Sequence, residues 1–242
     1  VIVVDNSPFV LIMPGLLSDC FIDAEDRYNK GINVTFTRIV KYLAFYISLL
    51  TPAFYIAITT YNQEMIPTLL IINFAAQRNN IPFPAFFEAL IMILSFEILR
   101  ESDLRIPNFT SSALSIVGAL ILGEAAVNAG LVSPIMIIVV ALTSIAALSF
   151  SEQEIINGLR WYRLFFMIAA SFMGMYGLVL AFCVYLIKMA SLKSFGKPYL
   201  MPFIPTYIEG LKNSIVKFPE KMIKKRVSYL SDNRVKMGDM ND

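Results

Sequence analysis

Apolar positions in this chain do not alternate with polar ones at the short periods of a water-facing fold. They run on, and the charges collect where the runs stop. Residues 42–63, 125–151 and 164–187 are three such uncharged stretches, each near or above the roughly 20 residues a helix needs to cross a hydrocarbon layer. With the apolar run opening near Ser111 they predict four full spans, over about 42–62, 111–129, 134–150 and 154–187. Gly130-Leu131-Val132-Ser133-Pro134 reads as the tight link between the second and third, and Ser151 with Glu154 as a capping box opening the last.

The segments between the spans are less regular. Val1-Ile2-Val3-Val4, an Asn6-Ser7-Pro8 turn and the run from Phe9 to Met13 predict short β pieces, and the charged stretch that follows hands over to the first span through Arg38 and Lys41. Pro52 falls inside the first span, where its missing amide and its ring kink a helix. Pro67 stands near the start of a 13-residue run, 65–77, too short to cross and expected to be re-entrant or interfacial. Residues 82–101 form a helix with interior acids whose path, across the bilayer or along it, the pattern leaves open. The fold class expected is all-α integral membrane: a polytopic bundle with a short β piece at its N-terminus. The domains expected are 1–31, a remnant of a soluble N-terminal domain with its linker; 32–190, transmembrane; and 191–242, a basic cytoplasmic tail.

Composition narrows the function. The 242 residues are 57% hydrophobic and 16% charged, against about 25% charged for ordinary soluble domains. Net charge is +2, too small to argue for nucleic acid, but from Lys188 onward there are eleven Lys or Arg and five acids. With the cations of 27–41 this places both ends on the cytoplasmic side. Arg160 and Arg163 fall on the outer side in that topology and count against it. Histidine is absent, which removes imidazole metal sites and Ser-His or Cys-His catalysis. Cys20 and Cys183 stand far apart and read as small apolar fillers. No catalytic residue, metal site or cofactor is expected, and nothing argues for an enzyme. Lacking an initiator Met and a basic leader, the chain reads as the middle of a larger protein.

The polar residues at membrane depth are therefore the candidates. Glu124 has long uncharged runs on both sides, and such an acid is costly in lipid, so it faces protein or water. Asn128 lies one turn along on the same face. Glu88 and Glu97, nine residues apart, point to opposite faces of one helix, and Glu97 clusters with Arg100 and Glu101. These four, Glu124, Asn128, Glu88 and Glu97, are the candidate ion pathway. Ser112, Ser115, Ala119, Gly123, Ala126 and Gly130 make one stripe of small residues, with Gly118 a further packing glycine on the same helix, and Gly174 and Gly177 with Ala170 and Ala181 make another. They suit close helix packing, or the lining of a narrow pore. Pro52, Pro67 and Pro134 are the candidate kinks or hinges.

Several strings resemble the membrane half of the spore germinant receptor A subunits, the GerA family: Val4-Asp5-Asn6-Ser7-Pro8-Phe9, Tyr55-Ile56-Ala57-Ile58-Thr59-Thr60, Glu64-Met65-Ile66-Pro67-Thr68, Pro82-Phe83-Pro84-Ala85-Phe86, Phe96-Glu97-Ile98-Leu99-Arg100-Glu101 and Pro198-Tyr199-Leu200. The likeness extends over nearly the whole chain. It implies the inner spore membrane of an endospore former, B and C subunits as partners, a soluble N-terminal domain ahead of Val1, and an A subunit that oligomerises into an ion channel. The family pattern carries Gln at the place of Glu124 and Glu at that of Asn128. Either a polar face is kept with its charge moved one turn, or the chain resembles the divergent stage V sporulation A-subunit-like proteins.

The expected function is thus a membrane subunit forming a homo-oligomeric channel for monovalent cations, embedded in the lipid bilayer. The alternatives are a secondary transporter, suggested by Pro52 and the short 65–77 segment, and a structural scaffold for partner subunits.

Overall fold

The structure, a computed structural model, describes residues 2–3, 5, 10–11, 13–103, 111–150, 153–207, 210–211 and 214–217. The expected Asn6-Ser7-Pro8 turn, the Ser151 cap and the basic stretch after residue 217 lie outside the described residues. The rest is mostly helical: α1 (Gly31–Thr60), α2 (Thr68–Arg78), α3 (Ala85–Asp103), α4 (Ser111–Asn128), α5 (Pro134–Ala147) and α6 (Gln153–Ser191). Short strands β1 (Ile2–Val3) and β2 (Val10–Leu11) pair antiparallel, as do β3 (Lys193–Ser194) and β4 (Lys197–Pro198).

Among the described residues two helical stretches are long and apolar enough to cross a membrane by length and composition, Gly31–Thr60 and Ile155–Ser191. Outward faces of α5 and α6 are apolar too: Ile138, Leu142 and Ile145 on α5 and Phe172, Tyr176 and Val179 on α6 are exposed. A helix apolar on all sides belongs in lipid or deep inside protein.

The chain forms two compact units that are not consecutive stretches: residues 1–43, 150–155 and 184–242, and residues 44–149 and 156–183. In the first, the 13–30 segment and the 192–217 segment hold the start of α1. Arg38 pairs with Asp26 at 2.8 Å and Lys41 with Asp23, so both cations are buried without being unpaired. The Ser18 hydroxyl donates to the Met201 carbonyl, and the Lys217 amide to Thr35 Oγ1. Phe21 stacks on Tyr42, with Phe203 and Phe150 edge-on to the pair.

The second unit holds the helical bundle. α1 runs unbroken through Pro52 and ends at Tyr61–Asn62; Pro67 then caps α2, which has no buried residue and presents Leu69, Leu70 and Ile72 outward. α3 lies against α4 and α5, close enough that a Cβ on Gly118 would come within 3.3 Å of Leu99. The α4–α5 link turns at Gly130, whose φ of +66° favours glycine. Ser133 caps α5 by accepting the Met136 amide, and Pro134 takes the first helical position.

The final helix departs from the single crossing expected over 154–187. It breaks at Gly174 (φ 59°, ψ −138°) and folds back, because the rings of Phe166 and Phe182 are 6.4 Å apart, whereas a straight helix would separate them by about 24 Å. Two features hold the fold-back. The Met175 amide, released by the break, donates to Asn62 Oδ1 at 3.1 Å. A Cβ on Gly174 would come within 2.6 Å of Tyr61, and one on Gly177 would overlap the Ala169 carbonyl of the opposite arm. Each arm, 155–173 or 175–191, is about 26–28 Å long, close to the thickness of a hydrocarbon layer.

Candidate functional site

Two polar clusters lie inside the second unit, and α3 supplies the acid of each. Glu88, one turn into α3, is 0% exposed. Its Oε2 accepts the Ser133 amide at 2.9 Å, and its Oε1 is 3.3 Å from Arg78 Nη2 at the end of α2. The buried Tyr55 of α1 stands beside the same three residues. A carboxylate at the N-terminal end of α5 meets the helix dipole as well as the arginine, so Glu88 ties α2, α3 and α5 together.

Glu97, two and a half turns on, is bonded to Arg100 of its own helix at 3.1 Å and to Arg160 of α6. Arg163, one turn beyond Arg160, is 5% exposed and stands near the same charges. Its Nε donates to the Ser48 carbonyl of α1 at 2.8 Å. Ser48 is the residue four before Pro52, so the carbonyl that proline leaves without an amide is the one Arg163 takes.

These contacts also fix direction. Arg163 meets α1 at Ser48 and Gly174 meets it at Tyr61–Asn62, so the first arm of α6 runs parallel to α1. Arg163 accordingly sits about 18 Å short of the Thr60 end of α1, with Arg160 one turn further back.

Glu124 and Asn128 are placed differently. Both are exposed on α4, and Asn128 borders an open cleft of about 350 Å³ with Gln77, Asn80, Gly130 and Pro134. The structure therefore does not bring the four candidate pathway residues together. Two are held inside by arginines and two face outward on one helix. Of the packing glycines, Gly118 and Gly123 face Leu99 and Ile137, Gly130 and Gly174 make turns, and Gly177 crosses the opposite arm. Sequence reasoning missed Arg78, Ser133, Arg160 and Arg163 as polar partners. One signal was available for Arg163: a proline in mid-span obliges some neighbour to donate to the carbonyl four residues earlier.

A family model described as "Bacillus/Clostridium GerA spore germination protein" matches residues 1–229. The chain is similar to spore germination protein KA of Bacillus subtilis (strain 168), with 45% identity over 238 residues that cover 98% of this chain and 44% of that protein. It is 38% identical over 229 residues to spore germination protein GerLA of Bacillus cereus, covering 95% and 46% of the two. To the uncharacterized membrane protein YfkQ of Bacillus subtilis (strain 168) it is 38% identical over 215 residues, covering 89% and 42%. The chain spans a little under half the length of these relatives. No solved structure matches it.

Proposed function

The chain belongs to the GerA family of spore germination proteins, and from that premise we propose that it is the membrane part of a germinant receptor A subunit that assembles into a cation channel. It is not an enzyme in this reading. It sits in the inner spore membrane, works with B and C subunits, and turns nutrient detection into release of monovalent cations.

One observation carries the proposal: Glu124 and Asn128 lie exposed on an otherwise apolar helix, while Glu88 and Glu97 are bound to arginines. An acid facing hydrocarbon is expensive, so an outward Glu124 in a membrane needs water or a second copy opposite it. A ring of copies provides both, with the Glu124 carboxylates lining a wet axis that attracts cations. The outward apolar surfaces of α5 and α6 support lipid contact on the other sides, and the likeness to the membrane protein YfkQ supports a membrane location.

The topology that suits this reading has α1, α3, α4, α5 and both arms of α6 crossing, with α2 re-entrant. Folding back α6 adds a crossing to the four expected spans, as does α3, and the even total keeps both ends on one side. A secondary transporter is the second reading, favoured by the break at Gly174. It requires saturable substrate flux. A scaffold for the partner subunits would give assembly without current. Particle images of the detergent-solubilised full-length protein test the proposal: several copies around a central axis support it, and a strict monomer contradicts it.

A further inference from the structure

Pro52 and Arg163 are far apart in sequence and on different helices, yet each answers a defect the other creates. In a regular helix the Ser48 carbonyl would accept the amide of residue 52. Proline has none. Ser48 is 0% exposed, so water cannot substitute, and its own hydroxyl is turned to the Phe45 carbonyl at 3.0 Å. A buried acceptor left without a donor is among the more damaging defects a fold can carry.

Arg163 has the mirror problem. Its guanidinium is buried in the second unit, where a cation without acceptors is unfavourable. The Ser48 carbonyl, 2.8 Å from Nε, supplies one acceptor, and the Glu97 carboxylate supplies neighbouring negative charge. A planar fork can present Nε to a carbonyl while its far end faces other groups.

We propose that Arg163 is a positioning residue for α1: it supplies the donor that Pro52 withholds, and so couples the course of α1 to the first arm of α6. Through Glu97, which is bonded to Arg160 on the same arm, the coupling reaches α3. Three helices are thereby set by one proline-made vacancy.

The test is a double-substitution cycle on the full-length protein in lipid nanodiscs, read as thermal midpoint. Arg163→Leu alone orphans the carbonyl and should lower the midpoint by roughly 2–10 °C. Pro52→Ala restores an amide at position 52 that can bond Ser48 directly. The pair Pro52→Ala with Arg163→Leu should therefore recover at least half of the loss. A space-filling role for Arg163 would not be rescued by a change on another helix. A double variant no more stable than Arg163→Leu alone overturns the proposal. If Arg163→Leu yields no folded protein, folded yield takes the place of the midpoint: recovery in the double variant supports the coupling, and its absence overturns it.

Discussion

α3 and α4 run side by side, both carry acids within long apolar runs, and they treat them in opposite ways. Two acids of α3 are paired with cations: Glu88, buried, with Arg78 and the Ser133 amide, and Glu97, half-buried, with Arg100 and Arg160. The acid of α4 faces out, with Asn128 one turn along. Charge that the fold neutralises holds helices together. Charge that the fold leaves outside is open to water, ions or a second copy. The two helices thus separate arginine-paired from outward-facing carboxylates within one chain, and substitutions probe that separation.

The largest effect belongs to Glu88→Leu, which leaves Arg78 and the Ser133 amide without their buried partner. Removing one side of such a pair costs about 3–5 kcal/mol, so a severe fall in thermal midpoint or folded yield is expected in detergent. A variant as stable as the parent would mean that Glu88 is not the tie between α2, α3 and α5. Glu97→Gln is next, at about 1–2 kcal/mol, since the carboxylate is 18% exposed and partly screened; chemical denaturation followed by tryptophan fluorescence suits it, Trp161 being the single tryptophan.

The small residues sharpen the same distinction between interior and exterior. Gly177→Ala forces a methyl into the Ala169 carbonyl and should cost about 1–3 kcal/mol, separating the arms of α6. Gly123→Ala meets only Ile137 at 3.6 Å and should be neutral or slightly stabilising, by up to about 1 kcal/mol from helix propensity. Thermal midpoints of the two variants measured side by side decide this; equal loss at both positions would contradict the packing described for the arms. The smallest stability effect is expected at Glu124→Gln, within about 0.5 kcal/mol, because Glu124 is exposed and no ion pair ties it to another described residue.

Much of the bundle was legible because local rules decide it. The run 111–129 becomes α4, Gly130 to Pro134 becomes a glycine turn and a proline-started helix, and the β piece at the N-terminus pairs as a short hairpin. The interior pairings were not legible. Glu88 and Arg78 sit on different helices, and their register depends on the 79–84 connection, which periodicity does not describe. Glu97 was read with Arg100 by spacing alone, but its partner Arg160 comes from a different helix. The fold-back of α6 was equally hidden: Gly174 belongs to a stripe of small residues and reads as packing until the Asn62 side chain is known to wait for the released Met175 amide.

In the proposed channel the outward carboxylate of α4 is the one that meets ions. Single-channel recording of the full-length protein in planar bilayers, comparing the parent with Glu124→Gln at equal folded yield, tests this. A smaller cation conductance and weaker preference for cations over anions are expected in the variant. Unchanged conductance and selectivity would contradict it.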